Sequence, residues 1–215
     1  MKRTLLSLIF MLGLGATVST FAQDNQTLFQ SRGIYRSGGY AAISNKFTKI
    51  NGDYANMAEL YGGWYINQRF LVGIGASATT NYIPVPALEQ NFPARKMTYQ
   101  YGQFGLMTEY VFASTRKVHF TANLLTGAGF TMQYDRRDFD DWDWDDWDDR
   151  HDDDRDPNCF FVMEPGVQVE FNLLKWMRFS PGVSYRKAFN AKGNGLTDSD
   201  LSNVSYNLTL KLGRF

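Results

Sequence analysis

Strict alternation of apolar and polar residues over long segments is the feature that most constrains this chain. In the clearest segment, from Val118 to Tyr134, large apolar side chains alternate with small or polar ones. A period of two places successive side chains on opposite faces of a β-strand. Similar segments lie at about 160–173 and 204–213, with weaker versions at about 38–48, 54–65, 70–80, 97–112 and 177–188. The sequence therefore predicts an all-β fold with eight strands.

The length of these segments and their connections indicate the kind of β-structure. Strands of soluble proteins average about 5–6 residues, whereas these segments run to roughly 11–17 residues, enough to cross a bilayer when tilted. The connections at 66–69, 113–117 and 173–176 are short, and those at 81–96, 135–158 and 189–202 are long. Short turns at one rim and long loops at the other are typical of an antiparallel up-and-down transmembrane β-barrel.

Within each strand, the charged residues fall at the alternate positions that otherwise hold small or polar side chains. A charge that faces lipid at the bilayer midplane costs about 2–4 kcal/mol, so we expect these side chains to face the lumen and form a structural ion-pair network. Its predicted members are Glu59, Glu109, Glu164, Glu170, Lys46, Arg178, Arg186 and Lys211. The alternative fold is a soluble lipocalin-like carrier, in which the same charges would line the outer wall around an apolar interior.

The N-terminal residues have the pattern of an export signal. Lys2 and Arg3 precede an apolar run over 5–14, and small and polar residues lead to a cleavage site after Ala22. We therefore expect a signal peptide over 1–22, a periplasmic lead-in over 23–36 and a barrel over 37–215. Cys159 is the single cysteine, so an internal disulfide framework is excluded.

Several stretches resemble small bacterial outer-membrane β-barrel proteins, and the predicted shape is similar to the membrane domain of outer membrane protein A. The matching stretches are Ser37-Gly38-Gly39-Tyr40-Ala41, Lys46 to Gly52, Gly62 to Asn67, Val72 to Gly75 through Thr80-Asn81, and Leu210 to Phe215. The resemblance implies a location in the bacterial outer membrane, in contact with its lipid. It also implies insertion by the barrel assembly machinery, which reads a C-terminal strand that ends in an aromatic residue, here Phe215.

An acidic outer loop over 135–158 is the unusual chemical feature of the chain. Residues 135–156 contain 13 Asp and four Arg, a formal charge of −9, while the remainder of the predicted mature chain carries +7. The loop could be a solvated low-complexity segment, a weak Ca²⁺ or Mg²⁺ binder or a recognition surface. The candidate cation-binding residues are Asp141, Asp143, Asp145 and Asp146, and the candidate recognition residues are Trp142, Trp144 and Trp147. The Gly and Glu of a calcium-binding loop are missing, so no defined metal site and no cofactor are predicted.

No catalytic constellation is convincing, so the chain is not predicted to be an enzyme. His119 begins a strand at the inner rim, and His151 lies among the Asp residues of the loop. The predicted function is a structural or surface-interaction role, with an external partner that the sequence does not name. The runner-up is a narrow ion channel, and a barrel hydrolase ranks lower. A formal net charge of zero gives no reason to expect a nucleic-acid partner.

Overall fold

A computed structural model of the chain describes residues 37–91, 96–135 and 157–215. These residues form nine strands and one short helix. The strands are β1 (Ser37–Ile50), β2 (Asp53–Ile66), β3 (Phe70–Thr79), β4 (Ile83–Pro84), β5 (Met97–Phe112), β6 (Val118–Asp135), β7 (Asn158–Leu174), β8 (Met177–Phe189) and β9 (Asn203–Arg214). The helix, α1 (Asp198–Leu201), lies in the connection between β8 and β9.

Eight of the strands form a closed antiparallel barrel. Each pairs with its neighbours along the chain, β3 pairs with β5, and β1 pairs with β9 to close the circuit. The two-residue β4 only extends the sheet at one end of β5, where Ile83 pairs with Tyr99. Closure gives each of the eight barrel strands two partners, so none of these described strands forms a free edge of the barrel wall. The predicted eight-stranded all-β fold is confirmed.

The turns distinguish the two ends of the barrel. At the end where β1 begins, here called the inner end, the connections are the short turns 67–69, 113–117 and 175–176. At the opposite, outer end, Asn51 and Gly52 join β1 to β2 with φ of 51° and 81°, values that suit a tight hairpin turn with positive φ at both positions. The other outer connections are longer and include β4 and α1.

Because successive side chains of a strand point to opposite faces, the charged side chains lie inside the barrel and the apolar side chains lie outside. In β1, Ser44, Lys46 and Thr48 are buried, whereas Ile43, which directly precedes Ser44, is 58% exposed. A belt of exposed apolar side chains surrounds the barrel, including Ile43, Leu60, Ile74, Phe104, Leu106, Val167, Val183 and Leu208. The lipocalin-like alternative is therefore wrong, because it requires the charged side chains of the strands on the outside. Among the described residues, no helix is long and apolar enough to cross a membrane.

Candidate functional site

The inner half of the lumen contains the inner ion cluster, formed by Glu109, Glu170, Arg178, Lys211 and His119. Glu170 accepts hydrogen bonds from Lys211 and from Arg178 Nη1 at 3.1 Å, and it lies 2.8 Å from His119 Nε2. The Lys211 ammonium also donates to Glu109 Oε1 at 2.7 Å. The two carboxylates and the two permanent cations balance in charge. Such pairing is needed because an isolated charge in a water-poor interior is costly.

His119 is held inside this cluster and away from the surface. Its Nδ1 lies 3.1 Å from the carbonyl oxygen of Arg116, in the turn that precedes the strand. The ring is buried, with both nitrogens facing partners. This arrangement fixes the orientation of the imidazole, and it places the group at the inner end of the barrel rather than among the outer loops.

Aromatic side chains close the lumen below the inner ion cluster. The Phe215 ring lies 3.8 Å from the Arg178 guanidinium carbon and 5.1 Å, centroid to centroid, from the ring of Tyr40. Tyr65 packs edge-on against both rings and donates a hydrogen bond to the Gln68 carbonyl at 2.5 Å. Tyr40 in turn donates to Glu109 of the cluster. Phe215 therefore covers the inner ion cluster from below.

A second group of charges, the middle ion cluster, consists of Lys46, Glu59 and Glu164. Lys46 Nζ donates to Glu59 Oε1 at 2.6 Å and to Glu164 Oε1 at 2.8 Å. Glu164 also accepts from Gln103 at 2.5 Å and from Ser184 at 2.6 Å. All three charged side chains are buried. Lys46 on β1 thus joins β2 to β7 across the lumen.

Arg186 lies nearer the outer end and is bound in a different way. Its Nε donates to the Leu201 carbonyl at 2.6 Å and its Nη2 to the Lys49 carbonyl at 3.0 Å. The guanidinium carbon also lies 4.5 Å from the centre of the Tyr101 ring. Arg186 was predicted as a member of the ion-pair network, but the hydrogen bonds described for it go to backbone carbonyls and to the sulfur of Met57. It anchors an outer loop to the barrel wall.

Apolar residues of two outer connections fold into the outer mouth of the barrel, forming what we call the outer cap. Ile83 and Val85 come from the connection around β4, and Ala191, Leu196 and Leu201 come from the connection around α1. They pack against strand residues that face the lumen, including Met57, Tyr99, Tyr101 and Phe160. Gly129 makes room for Phe160, because a Cβ there would lie 2.3 Å from its ring. The outer end of the lumen is therefore an apolar core.

Hydrogen bonds hold the outer cap in place. The Tyr99 hydroxyl oxygen lies 2.8 Å from Glu89 Oε2 and 2.9 Å from the Asn194 carbonyl oxygen, so it is within hydrogen-bond distance of both connections. Gln133, which pairs with Tyr99 from the adjacent strand β6, donates to the Glu89 carbonyl at 2.8 Å. Sequence analysis did not predict this cap. In the sequence, the only signal for it is the presence of apolar residues spaced through two long connections.

The eight residues predicted for the ion-pair network all lie buried in the lumen. Seven of them belong to the two ion clusters, and Arg186 is the exception. The candidate loop residues, Asp141, Asp143, Asp145, Asp146, Trp142, Trp144 and Trp147, lie outside the described residues, as does His151. Within the described ranges, no group of three or more His, Cys, Asp or Glu side chains could hold a metal ion.

Comparisons with known proteins identify the fold. No protein-family model and no curated protein matches the chain. Among solved structures, Neisserial surface protein A matches with a TM-score of 0.55 and 9% identity over 82% of this chain and 96% of that one. The attachment invasion locus protein Ail of Yersinia pestis gives 0.48 and 11% identity over 82% and 97%. The N-terminal β-barrel domain of Pseudomonas aeruginosa OprF gives 0.48 and 6% identity over 81% and 96%. The chain therefore has the closed eight-stranded barrel fold of small bacterial outer-membrane proteins.

Proposed function

We propose that this chain is an outer-membrane barrel with a closed lumen, which serves a structural or surface-interaction role. The observation that supports the proposal is the arrangement of side chains on the barrel wall. Apolar side chains are exposed on its outer face, and paired charged side chains are buried inside. An exterior such as that around Ile74, which is 76% exposed, is unfavourable in water and favourable in lipid. The final strand, β9, which closes the barrel against β1, is the segment that we propose the assembly machinery recognises.

The filled lumen supports a closed barrel over a narrow channel. Eight strands leave an interior that side chains just fill. In this chain, an ion would have to pass Phe215, two paired ion clusters and the apolar outer cap. Removing a charge from its partners in such an interior costs several kcal/mol. A constitutive pathway for ions along the axis is therefore disfavoured.

The outer end is where we place the surface interaction. It carries the longer connections, and the Asp- and Trp-rich loop joins β6 to β7 at this end. Carboxylate oxygens are suited to Ca²⁺ and Mg²⁺, and exposed Trp side chains are frequent in recognition surfaces. We propose that the loop binds divalent cations weakly or contacts an external partner.

Heat-modifiable gel mobility and planar-bilayer conductance together test the closed-barrel proposal. Purified protein folded in lipid vesicles should migrate differently before and after boiling, because a barrel resists detergent until heated. The same preparation should give no discrete conductance steps in a planar bilayer. Absence of a mobility shift would contradict the membrane barrel, and reproducible steps would contradict the closed lumen.

The loop proposal is tested by Ca²⁺ titration of Trp fluorescence. The chain has five Trp, of which Trp64 and Trp176 belong to the barrel and three lie in the loop. In a Trp64→Phe/Trp176→Phe variant, fluorescence reports only the loop, and Ca²⁺ should change it in the millimolar range typical of weak sites. The matched control carries the loop substitutions Trp142→Phe, Trp144→Phe and Trp147→Phe, and its fluorescence should not respond. An unchanged signal in the loop-only variant would refute cation binding.

A further inference from the structure

The inner rim of the barrel is strongly basic. Its three short turns and the end of β9 carry five exposed cations: Arg69, Arg116, Lys117, Lys175 and Arg214. Among the described residues, every Asp or Glu side chain that is not buried lies at the outer end, and the acidic side chains of the inner half, Glu109 and Glu170, are paired inside the lumen. We call the five exposed cations the basic ring.

The charge of the basic ring is not balanced by the segment that precedes the barrel. Residues 23–36 contain one Asp and two Arg, so they add positive charge. The charge of opposite sign is concentrated in the loop over 135–156, which joins β6 and β7 at the other end of the barrel. The barrel is therefore polarised along its axis, positive at the inner end and negative at the outer end.

Exposed aromatic side chains indicate the depth of the basic ring in the bilayer. Phe70 directly follows Arg69, Trp176 directly follows Lys175, and Phe112 precedes the turn that carries Arg116. These three rings are 39%, 55% and 51% exposed on the outer wall. Aromatic girdles of membrane barrels lie at the boundary between acyl chains and headgroups. The basic side chains just beyond them are therefore level with lipid phosphates.

From these observations, and given the proposed membrane location, we infer that the basic ring binds the headgroups of anionic phospholipids in the inner leaflet. Arg and Lys near a charged bilayer surface each strengthen attraction to anionic lipid about fivefold. The ring encircles the barrel, because its members lie on all three inner turns and on β9. The partner is thus an annulus of anionic lipid around the inner rim.

A soluble anion bound in the inner mouth of the barrel is the alternative ligand for these basic side chains. A cavity of about 780 Å³ opens between the turns. Its lining combines polar and basic side chains, including Gln68, Lys175 and Arg178, with the apolar Leu173, Leu174 and Phe215. Of the basic ring, Lys175 lines this cavity, whereas Arg69, Arg116, Lys117 and Arg214 do not. Most of the basic ring therefore lies outside this cavity, which favours lipid over a free phosphate.

Quenching of Trp by brominated lipid measures the inference directly. The parent protein carries Trp142→Phe, Trp144→Phe and Trp147→Phe, so that only Trp64 and Trp176 fluoresce. Both lie near the inner end and are exposed on the wall. The parent is folded into mixed phosphatidylglycerol and phosphatidylcholine vesicles, in which one lipid at a time is brominated. Relative quenching then gives the preference for anionic lipid at the inner rim.

Two matched triple variants separate the basic ring from general charge effects. The inner variant carries Arg116→Gln, Lys117→Gln and Lys175→Gln, and the outer control carries Lys49→Gln, Lys96→Gln and Lys192→Gln. All six residues are exposed. We expect the parent and the outer control to prefer phosphatidylglycerol, and the inner variant to lose this preference at least about tenfold. Raising the salt to about 1 M should weaken the parent's preference, since charges at the surface are screened.

Equal quenching by both lipids in the parent would overturn the inference, as would equal losses in the two triple variants. Loss of the preference on addition of inorganic phosphate at constant ionic strength would assign the cations to a soluble anion and also overturn it. Each protein is first checked for heat-modifiable mobility in the same vesicles. A missing mobility shift would count against the membrane barrel itself, whereas a normal shift without lipid preference would count only against the basic ring.

Discussion

Replacing Lys46 with Met should destabilise the barrel by about 3–5 kcal/mol, the cost of breaking a buried ion pair by removal of one partner. Lys46 Nζ lies 2.6 Å and 2.8 Å from the Glu59 and Glu164 carboxylates, and all three side chains are buried. Glu164 keeps hydrogen bonds from Gln103 and Ser184. Among the described residues, the Glu59 carboxylate accepts its one hydrogen bond from Lys46. The substitution thus leaves two negative charges close together in the lumen.

The free energy of unfolding is measured by urea titration of the protein folded in lipid vesicles, with gel mobility as the readout. A change of about 3–5 kcal/mol alters the folding equilibrium more than a hundredfold. Adding Glu59→Gln and Glu164→Gln to Lys46→Met should restore much of the loss, because no uncompensated charge then remains in this cluster. Lys49→Met is the matched control on the same strand, where the side chain is exposed. If Lys46→Met and Lys49→Met had the same effect, the reasoning from a water-poor lumen would be refuted.

Two further substitutions test the outer wall and the outer cap. Ile74→Arg, on the most exposed part of the apolar belt, should cost about 2–4 kcal/mol, whereas Val118→Arg near the inner rim should cost about 0–1 kcal/mol. Equal costs in the same urea titration would contradict the bilayer depth assigned to these positions. Leu201→Glu places a charge in the buried outer cap, so amide hydrogen exchange over 190–202 should rise, while Ser199→Glu, which is exposed, should leave it unchanged. Slow exchange in the Leu201 variant would show that this residue does not hold the cap.

The barrel could be predicted from sequence because its wall obeys one simple rule. Each strand alternates between a lipid face and a lumen face, so the period of two extends through segments such as Val118–Asp135 without interruption. Bilayer thickness sets the strand length, and the positions of turns follow from it. The same alternation assigns Glu109, Glu170 and Lys211 to the lumen.

The pairing inside the lumen could not be read from the sequence. Alternation fixes which face a side chain occupies, but barrel stagger decides which side chains meet across the lumen. Lys46 reaches Glu164, 118 positions away, because β1 and β7 face each other across the interior. The outer cap was missed for a related reason. Ile83 and Leu201 lie in connections without a regular period, and only the closed barrel brings them to a common mouth.

The two halves of the lumen are filled by different combinations of side chains. The inner half contains paired charges that span the interior, packed among buried side chains such as Tyr61 and Leu125. The outer half is an apolar core to which strands and outer connections both contribute. Arg186 lies at the boundary, where it bonds to the carbonyls of Lys49 on β1 and of Leu201 in α1. A charged group that saturates loop and strand carbonyls at once makes the position of the loops depend on the barrel interior. The connection that carries α1 is therefore held in a fixed position relative to the barrel wall.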